Sequence, residues 1–247
     1  LLRIKNLEKF FRVKTTGIFG RKATLKAVDR VSLVIKKGQN VGLVGESGCG
    51  KSTLGQTAIY LQRPTSGEVA LNGRVLGDCS PNELREMRKL MQMIFQDPFS
   101  SLNPRMTVAE ILAEPFVIHN ICSGKRLERE VGQLLDVVGL DAAYKSRFPH
   151  EFSGGQRQRI GIARSIALSP ELIVADEPVS ALDVSIQAQI LNLLSKLHRD
   201  MGLTFLFVAH DLAVVEHISD WVAVMYLGKI VEQGPAEDVF VSPCHPY

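Results

Sequence analysis

The sequence predicts an α/β fold with a mostly parallel core sheet and a smaller antiparallel β region near the N-terminus. Amphipathic helical segments alternate with short apolar segments, as in sheets whose parallel strands are joined by crossover helices. The first 75 residues instead hold β-rich segments separated by glycine-containing turns. The predicted core strands, apolar enough to be buried on both faces, are residues 40–45, 91–96, 171–177, 203–210 and 221–227.

The antiparallel region is expected to contain strands at residues 1–11, 25–38 and 67–73. Basic residues gather in RVKTTGIFGRKATLK (12–26), where we predict a solvated loop. The whole chain has a formal net charge of only +3, which is too small to indicate a nucleic-acid partner.

Helices are predicted where capping residues precede amphipathic segments. Ser80 is followed three residues later by Glu83, and Thr107 is followed in the same way by Glu110. Both patterns are capping boxes, which satisfy the first amide groups of a helix. Longer amphipathic helices are expected at residues 125–139, ending at a glycine, and at residues 185–197.

The cysteines and the hydropathy of the sequence argue against disulfide-rich, zinc-binding, secreted and membrane-spanning classes of protein. Four cysteines lie far apart without a C-x-x-C pair, which argues against a disulfide framework or a zinc site and favours a reducing cytosol. They are Cys49, Cys79, Cys122 and Cys244. No segment resembles a signal peptide, and no apolar run approaches the ~20 residues of a membrane span. Any membrane role is therefore expected to come from a partner.

A phosphate-binding loop is predicted at GESGCGKST (45–53), which matches G-x-x-x-x-G-K-[ST] between a predicted strand and a helical segment. Its glycines allow backbone N–H groups to surround a β-phosphate, and the helix N-terminus attracts the anion. Lys51 would reach the β- and γ-phosphates, and Ser52 would ligate Mg²⁺. The predicted nucleotide contacts are Gly45, Glu46, Ser47, Gly48, Cys49, Gly50, Lys51, Ser52 and Thr53.

Further candidate residues follow other predicted core strands. Asp176 and Glu177 end LIVADE, at the edge of the sheet where ligands bind in such folds. Asp176 suits the Mg²⁺ shell, and Glu177 is the candidate general base that polarises a water molecule. Gln96 could contact Mg²⁺ or that water, and His210 could hold the γ-phosphate. A loop hydrogen bond for Gln96 and a structural role for His210 are the alternatives.

A second anion-binding feature is the stretch EFSGGQRQRIGIARSIAL (151–168). It reads as the start of a helix with two glycines, Gly154 and Gly155, at its N-terminus. Ser153 is a natural N-cap, and the glycines leave the backbone open to an approaching phosphate. The sequence therefore predicts two phosphate sites in one chain.

Together these motifs resemble the nucleotide-binding subunit of an ABC transporter. The resemblance covers nearly the whole chain, with one departure at Phe152, where the family usually has leucine and where packing alone is affected. The motifs stand in the family's order: GESGCGKST, FQDP (95–98), FSGGQ (152–156), LIVADEP (172–178), SALD (180–183) and VAHD (208–211). The resemblance implies an ATPase with a P-loop NTPase core, an antiparallel β subdomain and a helical subdomain that carries the signature motif.

The resemblance also implies domain boundaries within a single ABC ATPase domain of residues 1–247. The nucleotide-binding core with its β subdomain is expected at residues 1–95 and 165–230, and the helical subdomain at 96–164. Residues 231–247 are expected to begin a C-terminal extension.

In the family, two such subunits pack head to tail and enclose two ATP molecules with Mg²⁺. The resemblance therefore implies that the signature residues Ser153, Gly154, Gly155 and Gln156 serve the partner's ATP, which explains the second phosphate site. Asp183 would link the two sites across the interface. The adenine is expected to stack on Phe11, with Phe10 as its rival, and a core phenylalanine is the alternative for either ring.

The segments FQDPFSSLNPRMTVAEIL (95–112) and VEQGPAEDVFVSPCHPY (231–247) resemble the peptide/nickel importer branch, particularly its second ATPase subunit. This implies a peripheral protein on the cytoplasmic face of the inner membrane. Its implied partners are two integral membrane permease subunits, a second ATPase subunit and, indirectly, an extracytoplasmic solute-binding protein. Residues 97–110 would receive the permease, or form the core of the helical subdomain. One cysteine in the tail, Cys244, makes no iron–sulfur site.

The expected function is therefore ATP hydrolysis that powers import of a small solute, with peptides as the expected solute. The alternatives are a non-transport ABC ATPase, an exporter subunit with the same chemistry, and a nucleotide-binding structural protein. Glu177 and His210 argue against the last of these. The sequence of this subunit does not distinguish peptide, glutathione or nickel as the transported solute. It also does not distinguish a homodimer from a heterodimer.

Overall fold

The computed structural model describes residues 1–14 and 22–247. Its strands are β1 Leu2–Lys14, β2 Lys22–Ile35, β3 Asn40–Val44, β4 Ser66–Leu71, β5 Arg74–Val75, β6 Met91–Ile94, β7 Leu172–Asp176, β8 Thr204–Val208, β9 Trp221–Tyr226 and β10 Lys229–Pro235. Its α-helices are α1 Lys51–Ala58, α2 Pro81–Leu90, α3 Val108–Ile118, α4 Gly124–Val137, α5 Gly154–Ile166, α6 Val184–Met201, α7 Leu212–Ile218 and α8 Ala236–Val241. Short 3₁₀ helices lie at Leu76–Asp78, Ala142–Ser146 and Pro149–Glu151.

The chain divides into two structural units. The first contains residues 1–88 and 204–247, and the second contains residues 89–203. The boundaries differ from those that the resemblance implies, because β6 and β7 group with the neighbouring helices. The predicted functional boundaries remain a prediction.

An antiparallel sheet in the order β2-β1-β4-β5 forms one part of the first unit. The prediction of a solvated loop at residues 12–26 is wrong for residues 12–14 and 22–26, which belong to β1 and β2. Arg12 pairs with Thr24 and Val13 with Ala23, because β1 and β2 continue as one long hairpin. The rest of that segment, residues 15–21, lies outside the described residues.

A second set of strands in the first unit runs in the order β10-β9-β3-β8. Strand β3 is parallel to both of its neighbours, and β10 is antiparallel to β9. All residues of β3 and β8 are buried, as their continuous apolar sequences predict. Helix α7 packs closely on β3, because a Cβ atom at Gly42 would lie 2.2 Å from Val215 Cγ1.

The second unit combines the parallel pair β6–β7 with four helices. Helices α3, α4 and α5 pack on one another, and α5 also packs on β6 and α6. The guanidinium of Arg159 donates to the carbonyl of Val138 (2.7 Å), which satisfies the C-terminal end of α4. The guanidinium of Arg164 donates to the carbonyl of Ser101 (2.8 Å). Burial of this guanidinium lowers the pKa of Arg164.

Both predicted capping boxes are confirmed. Thr107 Oγ1 accepts from the Glu110 amide, and the Glu110 carboxylate accepts from the Thr107 amide at 2.7 Å. Ser80 and Glu83 make the same reciprocal pair at the start of α2. These hydrogen bonds lower the pKa of both glutamates.

The elements that were not predicted are β5, β10, α7, α8 and the three 3₁₀ helices. Helices α7 and α8 cover the β3–β9 surface with an apolar cluster, whose members are Val44, Ala209, Val215, Val222, Ala236 and Val239. In the part of the chain that the structure describes, no helix has the length and apolar character needed to cross a membrane.

Thr107→Ala is expected to lower the free energy of unfolding by about 1 kcal/mol, because it removes the side-chain acceptor at the start of α3. Ser123→Ala is the matched control, since Ser123 occupies the N-cap position of α4 without a side-chain hydrogen bond. Its expected cost is a few tenths of a kcal/mol at most. Urea denaturation followed by circular dichroism measures both, and equal losses would contradict the assigned cap.

Candidate functional site

The glycine-rich loop predicted to bind phosphate lies between β3 and α1, entirely within the first unit. Gly45, Gly48 and Gly50 have φ values of 153°, 79° and 111°. Residues other than glycine seldom adopt such backbone angles. The three glycines therefore determine the path of the loop. Helix α1 begins directly after Gly50, which caps it without a side chain.

The loop packs against backbone on two sides. A Cβ atom at Gly45 would lie 2.1 Å from the carbonyl oxygen of Met225 in β9. A Cβ atom at Gly50 would lie 2.0 Å from the carbonyl oxygen of Ala27 in β2. The loop is held by main-chain packing, since neither position has room for a side chain.

Lys51 is buried, with 5% of its surface exposed. Its ammonium group donates to the carbonyl oxygens of Gly45 (2.6 Å) and Glu46 (2.9 Å). The one positive charge of the loop is therefore held at its centre. Beside it, burial raises the pKa of the Cys49 thiol, and the positive charge of Lys51 opposes that shift.

His210 follows β8 and is exposed. Together with Gly45 and Glu46 it lines a cavity of about 420 Å³. The next residue, Asp211, caps α7 by accepting from the Ala213 amide at 2.9 Å. Lys51, Glu46 and His210 therefore lie around one end of β3.

In the second unit, the two acidic residues at the end of β7 have different environments. Asp176 is buried, with 4% of its surface exposed. Glu177 is half-buried, and its carboxylate accepts a hydrogen bond from Gln96 Nε2 at 2.9 Å. The structure thus brings together two of the predicted catalytic residues, from the ends of the adjacent strands β6 and β7.

Glu177 also has a backbone conformation that the sequence did not predict. Its φ is 45°, in the left-handed region that glutamate seldom adopts. The amide and the hydroxyl of Ser180 both donate to its carbonyl oxygen, at 3.2 and 3.1 Å. Strain of this kind concentrates at functional sites.

The signature stretch forms the first turn of α5, and Ser153 is its N-cap as predicted. Ser153 and Gln156 make a capping box: the Gln156 side chain accepts from the Ser153 amide at 3.1 Å, and Ser153 Oγ accepts from the Gln156 amide at 3.4 Å. Gly155 is buried against α6, where its Cβ atom would lie 2.4 Å from Ile186 Cγ2. Gly154 faces Leu182 more loosely, at 3.2 Å.

The remaining predicted residues lie at exposed or half-buried positions. Asp183 is exposed at the N-cap position of α6 and makes no side-chain cap. Phe10 and Phe11 are both half-buried on β1, which excludes the interpretation as fully buried core rings. The ammonium of Lys9 lies over the Phe11 ring at 5.2 Å, and that of Lys26 over Phe10 at 5.3 Å. The choice between the two rings stays open.

One residue at this site was not predicted. The hydroxyl of Tyr247 accepts a hydrogen bond from the Glu46 amide at 2.7 Å, and its ring packs on Tyr226. Its contact with the phosphate loop spans 201 positions and has no local pattern.

Known proteins resemble this chain in sequence and in fold. A sequence profile of the family described as "ABC transporter" matches residues 28–180. The oligopeptide transport ATP-binding proteins AppF and OppF of Bacillus subtilis are 52% and 55% identical, over all of this chain and over 75% and 79% of their own. Among solved structures, a dimeric ATP-binding cassette in a post-hydrolysis state with ADP and Pi is 29% identical with a TM-score of 0.83. That match covers 96% of this chain and 99% of the cassette.

Gly50→Ala is expected to lower the free energy of unfolding by about 3 kcal/mol, because an unfavourable φ is combined with a clash against Ala27. Gly48→Ala is the control, since its φ is also positive but no atom lies within 4 Å of the new methyl group. Its expected cost is about 1 kcal/mol. Urea denaturation distinguishes the two, and the same loss in both would mean that the contact with β2 is unimportant.

Gly155→Ala is expected to lose about 1–3 kcal/mol of stability, because α5 packs too closely on Ile186 for a methyl group. Gly161→Ala, on the same helix, has open space at the new methyl and should gain about 0.5–1 kcal/mol from helix propensity. Thermal melts of the two variants should shift in opposite directions. A gain from Gly155→Ala would refute the close packing of the signature turn.

Proposed function

Because this chain belongs to the ABC transporter family, we propose that it is the ATP-hydrolysing subunit that powers peptide import through a membrane transporter. The predictions of the family, the fold class and the ATPase are confirmed by the match over residues 28–180 and by the ATP-binding cassette that it resembles. One observation supports peptide import as the function. Two proteins named for oligopeptide transport are 52% and 55% identical to this chain over its whole length.

ATP is the substrate of the phosphate loop. Residues 45–53 supply backbone amides to the phosphates. Lys51 donates two of its three N–H groups to the carbonyls of Gly45 and Glu46, and the third remains for the β- and γ-phosphates. Its burial at the centre of the loop supports this role, because a lysine there neutralises phosphate charge away from bulk water. Phe11, or its rival Phe10, stacks on the adenine.

Mg²⁺ is the metal that accompanies ATP in this proposal, and it neutralises charge on the β- and γ-phosphates. Its ligands from this chain are Ser52, Gln96 and Asp176. All three offer oxygen atoms, which suits a hard cation. The Gln96 nitrogen already donates to Glu177, which leaves the amide oxygen for the metal.

Glu177 acts as the general base in hydrolysis. It orients a water molecule for attack on the γ-phosphate, and Gln96 holds the carboxylate in place. His210 and Lys51 stabilise charge on the transferring phosphoryl group.

A second ATPase subunit completes each site. We expect a head-to-tail dimer in which Ser153, Gly154, Gly155 and Gln156 cover the partner's ATP and Asp183 links the sites. The dimeric cassette with ADP and Pi supports this arrangement. Closure on dimerisation would expel water and bring the reacting groups together.

As a subunit of an ABC transporter, the protein associates with a membrane. We place it on the cytoplasmic face of the inner membrane, against two permease subunits that a solute-binding protein supplies with peptide. Residues 97–110 would meet the permease. Phe99 supports this, because 58% of its surface is exposed, with the Arg157 guanidinium over its ring at 4.1 Å. The relatives named above give no support to a non-transport ATPase or an exporter.

Glu177→Gln is expected to reduce ATP turnover of the assembled transporter by about 100-fold or more, because the amide cannot accept a proton from the attacking water. ATP binding should persist, since the phosphate loop is unchanged. Turnover and ATP binding are measured with permeases and partner ATPase present. Glu128→Gln is the control, because Glu128 is exposed on α4, and it should leave turnover at the wild-type rate. Undiminished turnover in Glu177→Gln would show that another group is the base.

A further inference from the structure

The segment of residues 242–247 is attached to the first unit by a carboxylate. Glu232 on β10 accepts hydrogen bonds from the amides of Cys244 (2.7 Å) and His245 (2.9 Å). These amides lower the Glu232 pKa, so the carboxylate is ionised at neutral pH. The Tyr247 amide donates to His245 Nδ1 at 3.1 Å, which turns the tyrosine back toward the strands.

Tyr247 then meets the phosphate loop. Its ring packs on Tyr226, with ring centroids 4.7 Å apart, and its hydroxyl accepts from the Glu46 amide at 2.7 Å. Tyr226 ends β9, next to Met225, whose carbonyl blocks any side chain at Gly45. The start of the loop is thus held between the end of β9 and the tyrosine.

The Glu46 amide and the Gly45 carbonyl belong to one planar peptide group, so they point in opposite directions. Tyr247 holds the N–H end, and Lys51 Nζ donates to the C=O end at 2.6 Å. If this peptide rotated, both hydrogen bonds would be lost together. A peptide next to glycine has few steric restraints of its own, so its orientation depends on these partners.

We propose that Tyr247 is a positioning residue for ATP binding: it fixes the Gly45–Glu46 peptide so that the Gly45 carbonyl holds Lys51 at the centre of the phosphate loop. This inference rests on the proposed function, because it assumes that Lys51 binds the phosphates of ATP. Without the hydroxyl, the peptide samples other orientations, and the loop is ordered only when nucleotide binds. The cost of that ordering weakens ATP binding.

The test compares Tyr247→Phe with Tyr226→Phe in the full-length protein. Tyr247→Phe keeps the ring pair and removes the hydrogen bond to Glu46. Tyr226→Phe removes the other hydroxyl of the same pair, which makes no hydrogen bond among the described residues. We expect the Kd for Mg-ATP, measured by calorimetry, to rise about fivefold in Tyr247→Phe and to stay unchanged in Tyr226→Phe.

Two further readouts distinguish positioning from general stability. In the assembled transporter, the KM for ATP should rise in Tyr247→Phe while kcat at saturating ATP changes little. The Glu46 amide proton should shift upfield in the NMR spectrum of Tyr247→Phe alone, because its acceptor is removed.

Unchanged ATP affinity in Tyr247→Phe would overturn the inference, and tighter binding would also overturn it by showing that the hydroxyl competes with nucleotide. Equal losses in both variants would assign the effect to the ring pair. If the wild-type protein bound no ATP, the proposed function would fail, and an unshifted Glu46 amide would overturn the positioning role independently.

Discussion

Main-chain packing on both sides of the phosphate loop is the constraint on which the first unit's site depends. The loop has no space for a side chain where Gly45 meets β9 and where Gly50 meets β2. The Gly228 amide donates to the carbonyl of Cys49 at 2.9 Å and adds a third attachment. These attachments hold the loop against its neighbouring strands, and the hydrogen bond from the Glu46 amide to Tyr247 orients its first peptide. Together they give the preorganisation that electrostatic stabilisation of phosphate requires. The side chains of Lys51 and His210 then lie beside a fixed loop backbone.

Much of this fold could be predicted because its determinants are local. The apolar runs of β3, β7 and β8 are buried along their whole length, and the capping boxes at Ser80 and Thr107 form as their spacing indicates. The phosphate loop and the signature turn follow from glycines at fixed spacing. For the caps and the two glycine-containing turns, a short stretch of sequence contains the determinants of the structure. For the strands, the apolar run itself indicates burial.

The features that were missed depend on distant partners. Strand β10 has a half-buried pattern without regular alternation, and it forms because β9 offers an edge. The polar ends of the β1–β2 hairpin resemble a loop, yet they pair across the two strands. The Tyr247 contact joins residues 201 positions apart. The left-handed backbone of Glu177 also gives no sequence signal, because glycine, asparagine and aspartate are the residues that usually mark it.

The two predicted phosphate sites of this chain differ in how their helix N-termini are satisfied. Helix α5 carries its own capping box, so the Gln156 amide has an acceptor without any ligand. Helix α1 starts at Gly50, which supplies no side-chain acceptor to the first turn. An anion at α1 therefore gains more from the helix amides than an anion at α5, which must share them with Ser153. This asymmetry fits a chain that binds its own nucleotide at the phosphate loop and contributes the signature turn to a nucleotide already held by a partner.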